Sequence, residues 1–353
     1  MAIEKRIDEL LTQNGAVAVG FATRETLSGG PPSADLEHVL PGARSAVSFA
    51  LAFDRDKIRA YLSKRDSQAH NSEQQTLYTD LYLLSEKVAA LLRENGHDAT
   101  AIIPNGEYRM DRPSPGYLWD SHPPLSHRYM AVASGVAAFG WSGLVGIKGY
   151  GANILLGTCV TTAELAPTEP IPVDESYCDE CKVCVEACPS EMFEKEASMT
   201  QSLGGVTYEH SARKSITRCL MCCSGLTGLH KSGKWGSWSP GRFSIPDDEE
   251  RLREEVLRAA SLSKQRPDAP LETGDAVTFP PDHPFSGIQM VATCGNCQLV
   301  CFGDKRETTK NLKLLRKSGC VVQQPDGSLE VLPPADAAGA FAEMDPAHRQ
   351  KYE

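Results

Sequence analysis

The sequence predicts an α+β protein in two parts, and three observations predict it. Residues 1–166 alternate apolar, strand-like runs with amphipathic helical ones. Ten of the twelve cysteines crowd between Cys178 and Cys301, and a charged and Pro-rich stretch over 224–293 interrupts them. These patterns divide the chain into a first domain over 1–166, a cysteine-rich domain over 167–320 with an insertion at 224–293, and a peripheral tail over 321–353.

Taken in order, the chain opens on an amphipathic run with Ile3, Ile7, Leu10 and Leu11 on one face. Ala16–Phe21 and Ala46–Phe53 are apolar enough to be buried strands, and Ile102–Ile103 belongs to a third. Between them Thr79 is placed to cap a helix whose Leu81, Leu84, Val88, Leu91 and Leu92 share a face, stopped by Asn95–Gly96. Residues 104–128, rich in Pro, Gly, aromatic, acidic and His residues, read as a functional loop. Tyr129–Gly140 suits a buried helix and Ala152–Thr162 a strand. Gly140, Gly143, Gly146, Gly149 and Gly151 crowd the connection between them, where missing side chains let backbone approach a large flat ligand or simply make a flexible loop. In the insertion, Asp247–Ser263 reads as a helix and 266–285 as a Pro-rich segment, available as a lid or partner surface.

The first four crowded cysteines read C-x2-C-x2-C-x3-C-P: Cys178, Cys181, Cys184, Cys188, Pro189. In that bacterial-ferredoxin spacing three thiolates hold one [4Fe–4S] cube and the fourth serves a neighbouring one. RCLMCC supplies Cys219, Cys222 and Cys223, and CGNCQLVC supplies Cys294, Cys297 and Cys301. If the pairing is circular, Cys178, Cys181, Cys184 and Cys301 hold the first cluster. Cys188, Cys294, Cys297 and one RCLMCC thiol then hold the second. Zinc sites favour paired C-x2-C units instead. Cys159 and Cys320 lie outside the motifs and read as ordinary buried cysteines.

The net charge of −10 argues against nucleic acid, since phosphate binding asks for a cationic surface. Lys231–Trp235 and Lys305–Lys317 are the densest basic runs and read as solvated faces. No signal-peptide pattern, twin-arginine motif or membrane-spanning apolar stretch is present in the sequence, so a cytoplasmic protein with no membrane partner is expected.

Three stretches carry a resemblance. SHRYMAVASGVAAFGWSGLVGIKGYGANILLGTCVTTAEL, the four-cysteine run, and the pair CCSGLT and CGNCQLVC are similar to the cobalamin-dependent iron–sulfur reductases, the group of epoxyqueuosine reductase and the reductive dehalogenases. The likeness covers roughly residues 15–165 and 175–305. It implies a nitroreductase-like α/β corrinoid domain joined to a ferredoxin-like domain with two [4Fe–4S] clusters. Cofactor and clusters would carry the redox chemistry while the protein supplies placement and a proton. Matching CCSGLT selects Cys222 as the second-cluster ligand, with Cys219 and Cys223 behind it.

The resemblance also places a cofactor seat at Gly140, Trp141, Gly143, Gly146, Tyr150 and Gly151. It offers Asp120 as proton donor, or a Tyr aided by a basic residue: Tyr108 with Arg109, Tyr129 with Arg128, Tyr150 with Lys148. His122 and His127 stand in the same loop. Leu144 in place of Lys, Phe302 in place of Pro, the insertion and the acidic charge depart from the tRNA-acting members. The expectation is therefore a reductase that cleaves a carbon–heteroatom bond in a small organic molecule. Electrons would come from an external ferredoxin, flavodoxin or reductase, and tRNA is not expected as a partner. An epoxyqueuosine-reductase-like tRNA-modifying enzyme is one alternative, and a dicluster electron carrier or corrinoid-reducing protein is the other.

Overall fold

The computed structural model describes residues 2–104, 122–267 and 293–353, together with the backbone of Ala276–Val277 and Met290–Val291. The first part holds α1 (Ile3–Gln13), β1 (Ala18–Thr23), β2 (Ser45–Ala52), α2 (Arg55–Leu62), α3 (Gln68–Glu94) and β3 (Ala99–Ile102). It continues with α4 (His127–Ala133), the short pair β4 (Ala138–Phe139) and β5 (Val145–Gly146), and β6 (Ile154–Thr161). The second part holds α5 (Val183–Glu186), the hairpin β7 (Phe193–Leu203) and β8 (Val206–Arg213), α6 (Ile216–Cys223) and α7 (Glu249–Ser263). After the paired β9 (Ala276–Val277) and β10 (Met290–Val291) come α8 (Asn296–Leu299), α9 (Lys305–Arg316), β11 (Cys320–Gln323), β12 (Leu329–Leu332) and α10 (Pro334–Glu343).

The α+β class is as expected, but the first-part sheet is antiparallel throughout, in the order β1-β2-β6-β3. Strand period 2 divides its residues between two faces. Val47, Phe49 and Leu51 of β2 join Leu155 and Cys159 of β6 in a core with α1, α2 and α3. Ala46 and Ala50 join Val160 and Ile154 in a second core under α4. Gly157 faces Phe49 across the ladder, and a methyl there would meet the Phe49 ring. With both faces covered, β2 and β6 read in sequence as continuous apolar runs.

Two helices differ from expectation. Thr79 is no cap: α3 begins eleven residues earlier, where Asp66 Oδ1 accepts from the N–H groups of Gln68 (2.8 Å) and Ala69 (3.2 Å). Its first half is polar and buries only His70 and Asn71, so no apolar stripe announced it. The helix expected over Tyr129–Gly140 stops at Ala133, because Gly135 turns the chain at φ +68° against the Glu169 carbonyl.

His70 is 3 % exposed, packed 5.0 Å from the Phe53 ring and 4.9 Å from Tyr61. Burial, with Lys57 adding to it, lowers its pKa to about 4. The unfolded chain therefore takes up this proton first, and stability falls as pH drops from about 6.5 toward 4, by roughly 3 kcal/mol when complete. Urea unfolding at pH 7 and pH 5 should show the loss, and His70→Phe should flatten the slope. An unchanged slope in that variant would assign the acid sensitivity elsewhere.

In the insertion, α7 is N-capped by Asp248, whose carboxylate accepts from Arg251 N (2.9 Å). Its Leu252, Val256 and Ala259 pack with Met221, Leu226 and Phe243, so this part seats on α6 with a core of its own. Arg218 of α6, 6 % exposed, donates to the Ser190 and Pro246 carbonyls and to Asp247. The C-terminal segment buries Tyr352 completely: its OH donates to Gln323 Oε1 (2.8 Å), and its carbonyl accepts from Arg242 N. No helix among the described residues is long and apolar enough to cross a membrane.

Candidate iron–sulfur site

Cys178, Cys181, Cys184 and Cys301 line one concavity, walled by Trp141 and Tyr177. Local backbone conformation aims the first three. Glu180 (φ 53°) and Lys182 (φ 56°) are left-handed without being glycine, curling the chain around the space before α5 begins. Such residues carry strain that persists where surrounding structure fixes them, often at functional sites. Trp141 N–H points at Cys178 Sγ (3.3 Å). Backbone N–H groups also serve Cys181 from Val183, and Cys301 from Gly303 and Ala152.

The fourth ligand comes from far along the chain and is held by backbone. The Cys301 carbonyl accepts from Ala152 N (3.1 Å) and Asn153 Nδ2 (2.5 Å), while Gln298 Nε2 donates to the Ala152 and Ile154 carbonyls at 3.1 Å each. Phe302, 1 % exposed, lies beneath the guanidiniums of Arg55 (4.9 Å) and Arg59 (5.2 Å), and Arg59 pairs with Glu307 of α9 at 2.7 Å. The residue that departs from the family's Pro is thus an anchor between the two parts.

A second set of thiols adjoins the first. Cys188, Cys219 and Cys297 pack in one apolar cluster with Trp141, Met192 and Phe193, which Cys178 and Cys184 also touch. Cys188 and Cys219 act electrostatically on both Cys294 and Cys297, and Cys294, Cys188 and Cys219 act on Cys222. Cys219 and Cys222 share one face of α6 at i, i+3. Cys223 hydrogen-bonds Cys219. The resemblance singled out Cys222; the helical spacing of RCLMCC was the signal that Cys219 belongs beside it. Cys159 and Cys320 are buried, at 0 % and 1 % exposed.

Burial pushes the Cys184 and Cys294 thiols up to about 12 and Cys181 to about 11, and neighbouring thiols add to the effect. Facing thiols of this kind resist ionisation unless positive charge joins them, and bound iron reverses the balance. Among the described residues no three His, Cys, Asp or Glu side chains are placed to hold a single metal ion. A cube presents its irons at separate corners, so its thiolates stand further apart than those around one ion. The donor set fits clusters.

The expected corrinoid seat does not fit in the same way. The space over Gly140 is filled by Tyr177, that over Gly146 by Gly151 and Tyr177, and that over Gly151 by the Cys301–Gly303 backbone. Gly143 meets Arg213 and His210. These glycines let the chain approach itself, which glycine density alone cannot distinguish from approach to a ligand. Trp141, 7 % exposed, walls the thiol concavity, and Tyr150, 38 % exposed, sits at an outer turn.

Of the expected proton donors, Asp120 and Tyr108 lie outside the described residues, as does Arg109. His127 Nδ1 is 2.8 Å from Thr158 Oγ1, and the ring also meets the Ile103 backbone. Burial lowers its pKa to about 4, leaving a neutral imidazole at neutral pH, a base or hydrogen-bond partner and not a cationic acid. A basic group that joins Arg128, named in the sequence beside Tyr129, to Arg213 and His210 gathers nearby. Arg128 donates to the Gly143 carbonyl (3.2 Å) and Arg213 to that of Ser142 (3.3 Å), and both depress the pKa of the buried His210 beyond what burial does. Ser142 hydrogen-bonds Cys184, which joins this group to the first thiol set.

Comparison with known proteins agrees with the thiol reading. Residues 171–194 match the 4Fe-4S binding domain. The chain is 25% identical over 185 residues to an epoxyqueuosine reductase of Gloeobacter violaceus, covering 50% of this chain and 49% of that one. It is 27% identical over 161 residues to that of Bacillus cereus, covering 43% and 36%. The chain thus spans half or less of the length of these curated relatives. A solved epoxyqueuosine reductase with a tRNA-Tyr epoxyqueuosine-modified stem loop is similar at a TM-score of 0.38 and 15% identity, over 89% of this chain and 80% of that one. The resemblance to cobalamin-dependent iron–sulfur reductases stands. The expectation of a small-molecule substrate, with tRNA set aside, is corrected: the curated relatives that the chain matches are epoxyqueuosine reductases.

Proposed function

We propose that this chain is a two-cluster iron–sulfur reductase of the epoxyqueuosine reductase type, acting on an epoxyqueuosine-bearing tRNA. The observation that carries the redox half is the closure of Cys301 onto the Cys178–Cys184 run in one walled concavity. The second thiol set adjoins the first, Cys184 and Cys297 packing against one apolar cluster, which supports electron passage from cube to cube. Backbone N–H groups aimed at Sγ favour the more negative, reduced cluster and tune its potential. Trp141 and Tyr177 keep water from one wall.

For the substrate half, Arg128 and Arg213 set positive charge beside the first thiol set in a chain of net charge −10. That local sign suits a phosphate backbone, which the overall charge argued against. A corrinoid, which when bound supplies a strongly reducing cobalt centre, enters the reading through the resemblance alone, because the glycines meant to seat it pack against the chain.

Anaerobic reconstitution with iron, sulfide and cobalamin, followed by metal analysis and reaction of an epoxyqueuosine-modified stem loop with a chemical reductant, tests the proposal. About eight irons per chain and conversion of the stem loop are expected. Conversion of halogenated aromatics with the stem loop untouched would replace this reading by a dehalogenase.

Five thiols face the second site and four are needed, so Cys222→Ala alone should retain about eight irons, with Cys219 taking its place. The Cys219→Ala, Cys222→Ala double variant should fall to about four. Loss of iron in Cys222→Ala alone would make Cys222 indispensable.

A further inference from the structure

Lys64 follows α2 in the left-handed conformation (φ 54°), and its side chain turns inward to 6 % exposure. A buried ammonium is costly unless it is hydrogen-bonded and faces a negative charge. Two hydrogen bonds are in place: Nζ donates to the Gly236 carbonyl (2.8 Å) and to Ser318 Oγ (2.5 Å). No carboxylate among the described residues pairs with it. The segment that carries Gly236 runs on to Trp238, whose backbone N–H donates to the carbonyl of Thr293 (3.0 Å), the residue before Cys294, so the thiols whose charge would reach Lys64 are Cys320 and Cys294. Cys320 is 1 % exposed, and burial raises its thiol pKa, so it supplies no standing charge. Cys294 belongs to the second thiol set.

We propose that the Lys64 ammonium is the fixed counter-charge of the second [4Fe–4S] cluster, held by Gly236 and Ser318 on the Cys294 side so that this cube is reduced more readily than it would be without it. The inference rests on the two-cluster reading above. Each added electron makes a cube more anionic, and a cation held at fixed distance in a poorly solvated interior favours that state. The first site is differently placed. Lys182, which lines its concavity, is a third exposed, lies over the Trp141 ring (4.5 Å) and pairs with Glu196 at 3.4 Å, so water and a carboxylate screen it.

Lys64 also ties α2 to the segments carrying Gly236 and Ser318, so stability alone cannot separate a staple from a counter-charge. Reduction potentials can. In the reconstituted protein, EPR-monitored redox titration should resolve two clusters, the second assigned as the signal that survives Cys301→Ala. Lys64→Gln, which keeps a donor but no charge, and Lys64→Met should each move that potential to more negative values. The expected change is at least tenfold in the reduced-to-oxidised ratio, about 59 mV for one electron. The first cluster should stay where it is, and Lys64→Arg should restore the second. Unmoved potentials in either folded neutral variant, or equal shifts of both clusters, would overturn the inference while leaving the two-cluster reading intact. About four irons in the wild-type protein would overturn both.

Discussion

Cys301→Ala is expected to lower the iron content from about eight to about four per chain while leaving the fold in place. The thiol and the backbone of this residue do different jobs. Its Sγ completes the concavity formed by Cys178, Cys181 and Cys184, and alanine removes it without offering an oxygen to iron. Its carbonyl accepts from Ala152 N and Asn153 Nδ2, and those bonds survive the substitution. Iron analysis with EPR of the reduced protein reads the first effect, and far-UV circular dichroism reads the second. Iron remaining near eight would remove Cys301 from the ligand set. Loss of all iron with the fold retained would mean that the two sites do not fill independently.

Gly151→Ala should be a strongly damaging single methyl. Gly151 sits at φ +65°, and an added Cβ would press on Cys301 O, Phe302 C and Gly303 N, all backbone with nowhere to yield. The expected loss is about 3 kcal/mol or more, from left-handed strain and overpacking together. Gly149→Ala isolates the first contribution. Gly149 is equally left-handed (φ +88°) but has open space around its Cα, so about 1–2 kcal/mol is expected there. Chemical denaturation of both variants measures the difference, and equal losses would refute the close-approach account of Gly151.

What could be read in the sequence follows from the range of each signal. The Cys178–Cys188 run is local, and its spacing alone pointed to a 4Fe-4S site, which the matched binding domain bears out. The strands β2 and β6 were visible because both their faces are buried, but periodicity carries no strand direction, and the antiparallel order emerged only in space. The first half of α3 stayed hidden because His70 is buried among otherwise polar residues. Cys219 was ranked behind Cys222 because pattern matching fixes one position, whereas α6 presents a face. Lys64 sits in a polar stretch, RAYLSKRD, where nothing local distinguishes a buried lysine from a solvated one. The glycine-dense connection was seen, but glycine density alone does not say whether a ligand or the chain itself comes close, and Gly140, Gly146 and Gly151 lie against Tyr177 and the Cys301–Gly303 backbone. Arg128, His210 and Arg213 meet only because β8 and α4 both reach the Ser142–Gly143 turn.

The pinning of the Cys301 segment onto Ala152–Ile154 also orders events during synthesis. Three thiols of the first set leave the ribosome more than a hundred residues before the fourth, and the fourth docks on Ala152 and Asn153, at the head of the strand β6 that pairs with β2. Until residue 301 is made and that sheet is formed, the first site is an open three-thiol cup, prone to lose iron or admit oxygen. Complete metal loading is therefore a late checkpoint of biogenesis, passed only by chains whose first half has folded.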